Sequence, residues 1–291
     1  MVRFAFSLGF FLKPRTTVLA AVWRHVPATL RIRVYRCLAW LGDYLWGRTC
    51  SLSVQRLPFG LYLKTRNVTW HRSLENEYGA LELVRRHTDV VAPRPLDLVS
   101  DGNVSYLLIS AVPDYHVGLC IDAMSDEEVA NLVRDLRAWL VQLRSIPKTV
   151  APAYEIMNAV GDGVYDGRIT QAVEYDEARG DFFGPFKDED DFNNTLRCGA
   201  LPDVVHRSGH KIVFTHGDIN MRNIMVKDGK LSGIIDFETA AWLPEYWDYT
   251  KARWVTKFNR RWIKIVDKVF EELGDYQEEL ATERKLWEYV F

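Results

Sequence analysis

Phe214-Thr215-His216-Gly217-Asp218-Ile219-Asn220-Met221-Arg222-Asn223-Ile224-Met225-Val226, followed by Gly233-Ile234-Ile235-Asp236-Phe237-Glu238, decides how the rest of the chain is read. Asn223 comes five residues after Asp218, and Asp236 follows a short hairpin. Enzymes of phosphoryl transfer place a base and two metal ligands in this order. Apolar residues 224–226 run into Lys227-Asp228-Gly229-Lys230 and resume at Leu231, so Asp-Gly marks a two-residue turn. With Asp228 and Gly229 in the turn, Lys227 pairs with Lys230 and Asn223 falls opposite Ile234. Period-two alternation then sets Asn223 and Asp236 on one face as diagonal neighbours, roughly 7–8 Å apart. An amide oxygen and a carboxylate suit Mg²⁺, which takes one or two protein oxygens plus substrate phosphates. Asp218, on the loop before the hairpin, is placed to orient and deprotonate a hydroxyl. Singly, each of these residues is an ordinary turn or strand residue; the joint spacing carries the reading. His216 is expected to fix the loop by hydrogen bonding and to do no chemistry.

The segment resembles the aminoglycoside phosphotransferase family, and within it the fungal branch. The resemblance rests on His216-Gly217-Asp218-x-x-x-x-Asn223 and on Ile235-Asp236-Phe237-Glu238. It continues through Ala240-Ala241-Trp242-Leu243-Pro244-Glu245-Tyr246-Trp247-Asp248-Tyr249 and Gly184-Pro185-Phe186, covering residues 57–251. It implies Asp218 as base, Asn223 and Asp236 as metal ligands, ATP as donor, Mg²⁺ as metal and a small-molecule hydroxyl as acceptor. It also implies an α+β, bilobal protein-kinase-like fold with a small β-rich N-lobe and a larger, mostly helical C-lobe. The expected division is an N-terminal helical extension over residues 1–48, a small lobe over 49–112 and a large lobe over 113–291.

In the small lobe, Lys64 closes the apolar run Leu57-Pro58-Phe59-Gly60-Leu61-Tyr62-Leu63. By analogy it holds the donor α- and β-phosphates, with Glu77 as its partner on the next helix, which Ser73 is positioned to cap. Glu75 and Glu82 compete for that role; the Asn76-Glu77-x-x-Ala80-Leu81 pattern favours Glu77. Only Gly47 and Gly60 lie between Trp46 and Lys64, so a glycine-rich phosphate loop is missing and residues 51–55 are expected to stand in for it. Two strands over residues 96–99 and 104–109 flank a Ser100-Asp101-Gly102-Asn103 turn. Ala111 and Val112 follow as the hinge, whose backbone groups are expected to bind adenine. Beyond it, Ser125 and Glu128 form a capping box for a helix over residues 126–144 with Val129, Leu132, Val133, Leu136, Leu140 and Leu143 on one face.

The composition is that of an ordinary enzyme: 291 residues, 48% hydrophobic, 26% charged, net charge −2, with no basic footprint for nucleic acid. Cys37, Cys50, Cys120 and Cys198 are too scattered for a zinc site or a disulfide framework, so a reducing, cytoplasmic setting is expected. The apolar residues 4–12 are too short to span a bilayer. Arg31, Arg33 and Arg36 interleave with apolar residues; this pattern suits a helix packed on the small lobe, and membrane contact through residues 1–40 is the alternative. Ten carboxylates between Asp162 and Asp191, Glu174 among them, either attract a cationic acceptor or are merely solvated. Tyr165, Tyr175, Phe182 and Phe183 either line a pocket or anchor this insert. The C-terminal residues 254–291 read as helical. Two other functions stay open: a nucleotide-binding pseudokinase or scaffold, and a protein kinase, the latter disfavoured by the missing glycine loop.

Overall fold

Four antiparallel strands build the first sheet of the computed structural model, in the order β1-β2-β4-β3. They are β1 (Val54–Leu57), β2 (Leu61–Asn67), β3 (Pro95–Ser100) and β4 (Val104–Ser110). The described residues are 22–49, 51, 53–172, 176–177, 179–197 and 199–290. Residues 4–12, Cys50, Glu174, Tyr175 and Cys198 lie outside them. The chain divides into two compact units: residues up to Leu74 with Arg94–Ala111, and Glu75–Pro93 with Val112–Phe291.

In the first unit, helix α1 (Ala28–Trp46) packs on β1 and β3. Its inward residues Ile32 and Tyr35 join Leu57, Leu63, Val99, Tyr106 and Leu108 in one core. Gly42 allows the close approach, because a Cβ there would lie 2.0 Å from the Arg56 carbonyl oxygen. The arginines of this helix divide their work. Arg31 donates to the buried Asp97 carboxylate, which also accepts from the Tyr35 hydroxyl. Arg36 reaches Asp101 at 2.9 Å and the Tyr106 hydroxyl at 2.8 Å. The expected packing of this helix in the small lobe is what the contacts describe.

The second unit is mostly helical. Helix α2 (His71–His87) enters it, followed by α3 (Asp126–Arg144), α4 (Gly167–Ala172), α5 (Glu189–Thr195), α6 (Trp247–Val255), α7 (Arg260–Phe270) and α8 (Gln277–Val290). Short strands supply the rest: β5 (Tyr115–His116), β6 (Met157–Asn158), β7 (Val164–Tyr165), β8 (Phe182–Phe183), β9 (Ile212–Thr215), β10 (Ile224–Lys227), β11 (Lys230–Ile234) and β12 (Ala241–Pro244). They pair as β11-β10-β5, β6-β12-β9 and β7-β8. The fold is α+β, as expected. The Ser125–Glu128 capping box forms, and Leu132, Leu136, Leu140 and Leu143 of α3 are buried. Ser73 is not the cap of α2: the helix begins two residues earlier, behind a 3₁₀ turn started by Asn67, whose side chain accepts from Thr69 N–H at 3.1 Å. The C-terminal stretch is broken between α6 and α7, where Asn259 caps the new helix, and again before α8. No described helix is long and apolar enough to cross a membrane.

Asp97 is the test of the first unit. Asp97→Ala leaves the half-buried Arg31 guanidinium and the Tyr35 hydroxyl without their acceptor, and breaking a buried pair by removing one partner costs about 3–5 kcal/mol. Urea denaturation of the variant is expected to show a loss of that size; a loss below about 1 kcal/mol, the worth of a surface pair, contradicts the anchoring role.

Candidate active site

The hairpin closes on Asp228-Gly229 with Lys227 opposite Lys230, as the turn chemistry requires. A bulge then shifts the ladder by one residue, so Ile224 instead of Asn223 faces Ile234. Ser232 is the extra residue, and the Asn223 carbonyl accepts from Ile235 N–H at 2.9 Å. This corrects the expected regular pairing: bulges change a register that alternation alone cannot reveal. Asp236 lies beyond the end of β11 with φ of +70°, a left-handed backbone that costs a non-glycine residue about 1–3 kcal/mol and persists only where neighbours hold it.

The loop before the hairpin is held from several sides. Gly217 has φ of +80°, and a Cβ on it would sit 2.5 Å from the Thr239 carbonyl oxygen, so only glycine fits. Asp248, buried in the first turn of α6, accepts from Gly217 N–H at 2.8 Å and from His216 N–H at 3.3 Å. The Thr239 hydroxyl donates to the His216 carbonyl at 3.1 Å. His216 itself accepts from Asp218 N–H through Nδ1 at 3.2 Å and donates through Nε2 to the Ile235 carbonyl at 2.9 Å. It thereby ties the loop to the residue preceding Asp236.

Asp218 and Asn223 meet directly. The Asn223 amide donates to the Asp218 carboxylate at 2.8 Å and to its carbonyl at 2.9 Å. Asn220 Nδ2 donates to the same carbonyl at 3.2 Å. Burial raises the Asp218 carboxyl above the ordinary aspartate range and the Asp236 charge adds to the rise, while His216, Asn220 and Lys251 pull it down. A half-buried carboxylate with a raised pKa and fixed geometry has the properties a general base needs.

Asp236 stands in a second cluster. One carboxylate oxygen each from Glu77, Asp236 and Glu238 lie within 4.8 Å of one another. Glu77 is fully buried on α2, and its neighbour Asn76 fixes that helix to the loop by donating to the Glu238 and Ala240 carbonyls, each at 2.9 Å. Of the competing acids, Glu82 is engaged on the helix surface by Arg85 and Arg86, and Glu75 is exposed. Carboxylate oxygens are donors that hard cations such as Mg²⁺ take, so the residues present fit such an ion.

Helix α6 carries a further pair. Lys251 Nζ lies 2.6 Å from the Asp166 carboxylate, which also accepts from Trp247 Nε1–H at 3.1 Å. One helical turn therefore holds both the loop that carries Asp218 and the insert. The insert's other acids are largely occupied: Asp188 caps α5, Glu189 meets His210 at 2.7 Å, and Asp190 accepts from Ser208. Phe182 and Phe183 are buried, and Phe186 packs edge-on to Phe192 at 5.3 Å, so these aromatic residues anchor the insert.

In the first unit, Lys64 lies inside β2 and does not close it, opposite Val54 and Leu107, and is buried. Lys64 and Glu77 belong to different units. Two backbone expectations change. Val54 and Gln55 belong to β1, so the last two of residues 51–55 are strand and not loop; the turn of this hairpin is Pro58-Phe59-Gly60, with Phe59 at 87% exposure. The Ala111 amide donates to the Gly60 carbonyl at 2.8 Å, extending the ladder by one bond, so it is not available to adenine.

A sequence model of the phosphotransferase enzyme family matches residues 60–282. The chain belongs to that family. The match spans the catalytic loop, the hairpin and α6. Solved structures with the same fold include aminoglycoside phosphotransferase APH(3'')-Id from Streptomyces rimosus with ADP and streptomycin, 17% identical, covering 89% of this chain and 98% of that one with a TM-score of 0.56. A GDP complex of a mutant aminoglycoside 2'-phosphotransferase is 16% identical over 88% of this chain and 86% of that one, TM-score 0.57. The streptomycin–ATP complex of APH(2")-IIa is 14% identical over 82% and 79%, TM-score 0.54. No curated protein matches the chain.

Three parts of this phosphotransferase's site escaped the sequence reading. Asp248 was legible only as part of an aromatic run, Asn76 only as a neighbour of Glu77, and Glu238 only as the end of Ile-Asp-Phe-Glu. Asp248→Ala removes the acceptor of two buried amides, each costing about 1–3 kcal/mol when left unmade. With the fold checked by circular dichroism, turnover is expected to fall by about 10²-fold through misplacement of Asp218. Turnover within about twofold of wild type contradicts the clamp.

Proposed function

We propose that this phosphotransferase moves the γ-phosphoryl group of ATP to a hydroxyl of a small molecule. One observation carries the reading: Asp218, with its pKa raised by burial, is fixed by Asn223 on a loop clamped by Asp248. The Asp218 carboxylate takes the acceptor's proton as the hydroxyl oxygen bonds to the γ-phosphorus. The bond from that phosphorus to the bridging β,γ-oxygen breaks, and ADP leaves with the electron pair. Asn223 and Asp236 would hold Mg²⁺, which when bound neutralises charge on the donor phosphates. Lys64 is assigned to the donor phosphates, Glu77 to its support, and the backbone of Val112 to adenine. Exposed Asp176 and Glu177 support a cationic acceptor, the class named for the solved streptomycin complexes. The aromatic continuation after Glu238 supports placement in the fungal branch, and free Cys37 and Cys120 support a cytoplasmic setting.

Asp218→Ala is expected to slow transfer by about 10²–10⁴-fold with ATP affinity retained. Because the base must be ionised and burial raises its pKa, kcat/KM of the wild type should fall as pH drops through a value above the ordinary aspartate one. A profile flat down to about pH 4 removes Asp218 as the base. Asp236→Asn should abolish Mg²⁺-dependent turnover, since an amide cannot match the carboxylate's charge against the phosphates; wild-type rates at limiting Mg²⁺ contradict that ligand assignment.

A further inference from the structure

The side-chain amide of Asn76, buried on α2, is bonded at both ends. Nδ2 donates to the Glu238 and Ala240 carbonyls, each at 2.9 Å, and Oδ1 accepts from Ala159 N–H at 2.8 Å. Two carbonyls at one end and an amide at the other leave a single orientation for the group, with its nitrogen toward the loop after Asp236. Three segments distant in sequence therefore meet on this residue: α2, residues 238–240 and residues 158–163. The last is a self-supporting turn. Asn158 Oδ1 accepts from Val160 N–H at 3.0 Å and Asp162 N–H at 2.9 Å, and its Nδ2 donates to the Gly163 carbonyl at 2.9 Å. Asn158 also pairs with Ala241 of β12. Helix α2 lies hard against this turn, since a Cβ on Gly79 would stand 2.6 Å from Val160 Cγ1.

The loop that Asn76 grips carries the strained residue of the site. Asp236 has φ of +70°, a backbone that persists only where neighbours hold it. On its N-terminal side, His216 Nε2 donates to the Ile235 carbonyl at 2.9 Å. On its C-terminal side, Ala240 N–H closes a turn on the Phe237 carbonyl at 3.1 Å, and the Thr239 hydroxyl ties that turn to the His216 carbonyl at 3.1 Å. Both of those bonds stay within the catalytic loops; Asn76 is what joins residues 238 and 240 to α2. The spacing between Glu77 on the helix and Asp236 and Glu238 on the loop depends on that junction, and one oxygen of each lies within 4.8 Å of the others.

We propose that Asn76 is a positioning residue: from α2 it sets the loop of Asp236 and Glu238 at the distance from Glu77 at which the three acids serve a divalent cation. It acts through these carboxylates and their backbone. The inference rests on the reading of this site as one for Mg²⁺ and a nucleotide. Partners that orient metal ligands from behind are worth about 10–100-fold in metal affinity.

The test is titration of the full chain with the fluorescent nucleotide N-methylanthraniloyl-ADP at a series of Mg²⁺ concentrations. The quantity read is the Mg²⁺ concentration that gives half of the gain in nucleotide affinity, at a temperature where circular dichroism shows each variant folded. Asn76→Asp keeps the size of the side chain and the acceptor for Ala159 but offers no N–H to the Glu238 and Ala240 carbonyls. The half-maximal Mg²⁺ concentration is expected to rise about 10–100-fold. Charge alone predicts the opposite, because a further carboxylate beside Glu77 attracts the cation. Should the buried carboxylate prevent folding, the uncharged Asn76→Ala is read in its place, with the same expectation. A half-maximal concentration equal to or below the wild-type value overturns the proposal. So does a rise in Asn76→Asp accompanied by loss of hydrogen-exchange protection at Ala159 N–H, which marks a general loosening of α2. A wild-type chain that binds the nucleotide without any gain from Mg²⁺ contradicts the reading of the site itself, and the role of Asn76 falls with it.

Discussion

A single buried carboxylate organises the catalytic unit. Asp248 accepts from the amides of His216 and Gly217, and burial raises its own pKa while those bonds lower it, so its charge is sustained by the bonds it accepts. Those two bonds set the direction in which the next residue, Asp218, leaves the loop. The left-handed Gly217 is the chain's half of the arrangement, since any Cβ would collide with Thr239. His216 then passes the constraint to Ile235, next to the strained Asp236. The candidate base and the candidate metal ligand are therefore positioned through the same loop.

The remainder of the unit supports that loop at its edges. Asn76 binds α2 to residues 238 and 240, which brings the buried Glu77 to Asp236 and Glu238. Trp247, next to Asp248, and Lys251, one turn along, hold Asp166 in the insert. Lys251 also draws down the pKa of Asp218, so the insert and the candidate base are linked electrostatically through one ammonium group. A buried cation of this kind needs its carboxylate partner, which explains why Asp166 is buried despite its charge.

Much of this was legible in the sequence, and the failures have physical causes. The Asp-Gly turn and its Lys227–Lys230 pair followed from local backbone preferences, and the capping box of α3 from paired side-chain acceptors. The bulge at Ser232 left no such mark, because the residues around it alternate no differently from those of a regular ladder. Ser73 looked like a helix cap, but Asn67 starts a 3₁₀ turn upstream and leaves Ser73 buried inside the helix. Ala111 was assigned to adenine from chain order alone, and its amide is used by Gly60. The acids of the insert looked solvated or substrate-directed, whereas their partners His210, Ser208 and Lys251 are distant in sequence and become neighbours only on folding.

The central claim is phosphoryl transfer to a small hydroxyl compound. Incubation of the full chain with γ-labelled ATP, Mg²⁺ and a protein-free metabolite extract, followed by mass spectrometry of labelled products, tests it most directly. The account predicts an acid-stable phosphate ester of a low-molecular-weight alcohol. Label released only as inorganic phosphate, or retained on ATP although the protein binds the nucleotide, would contradict it.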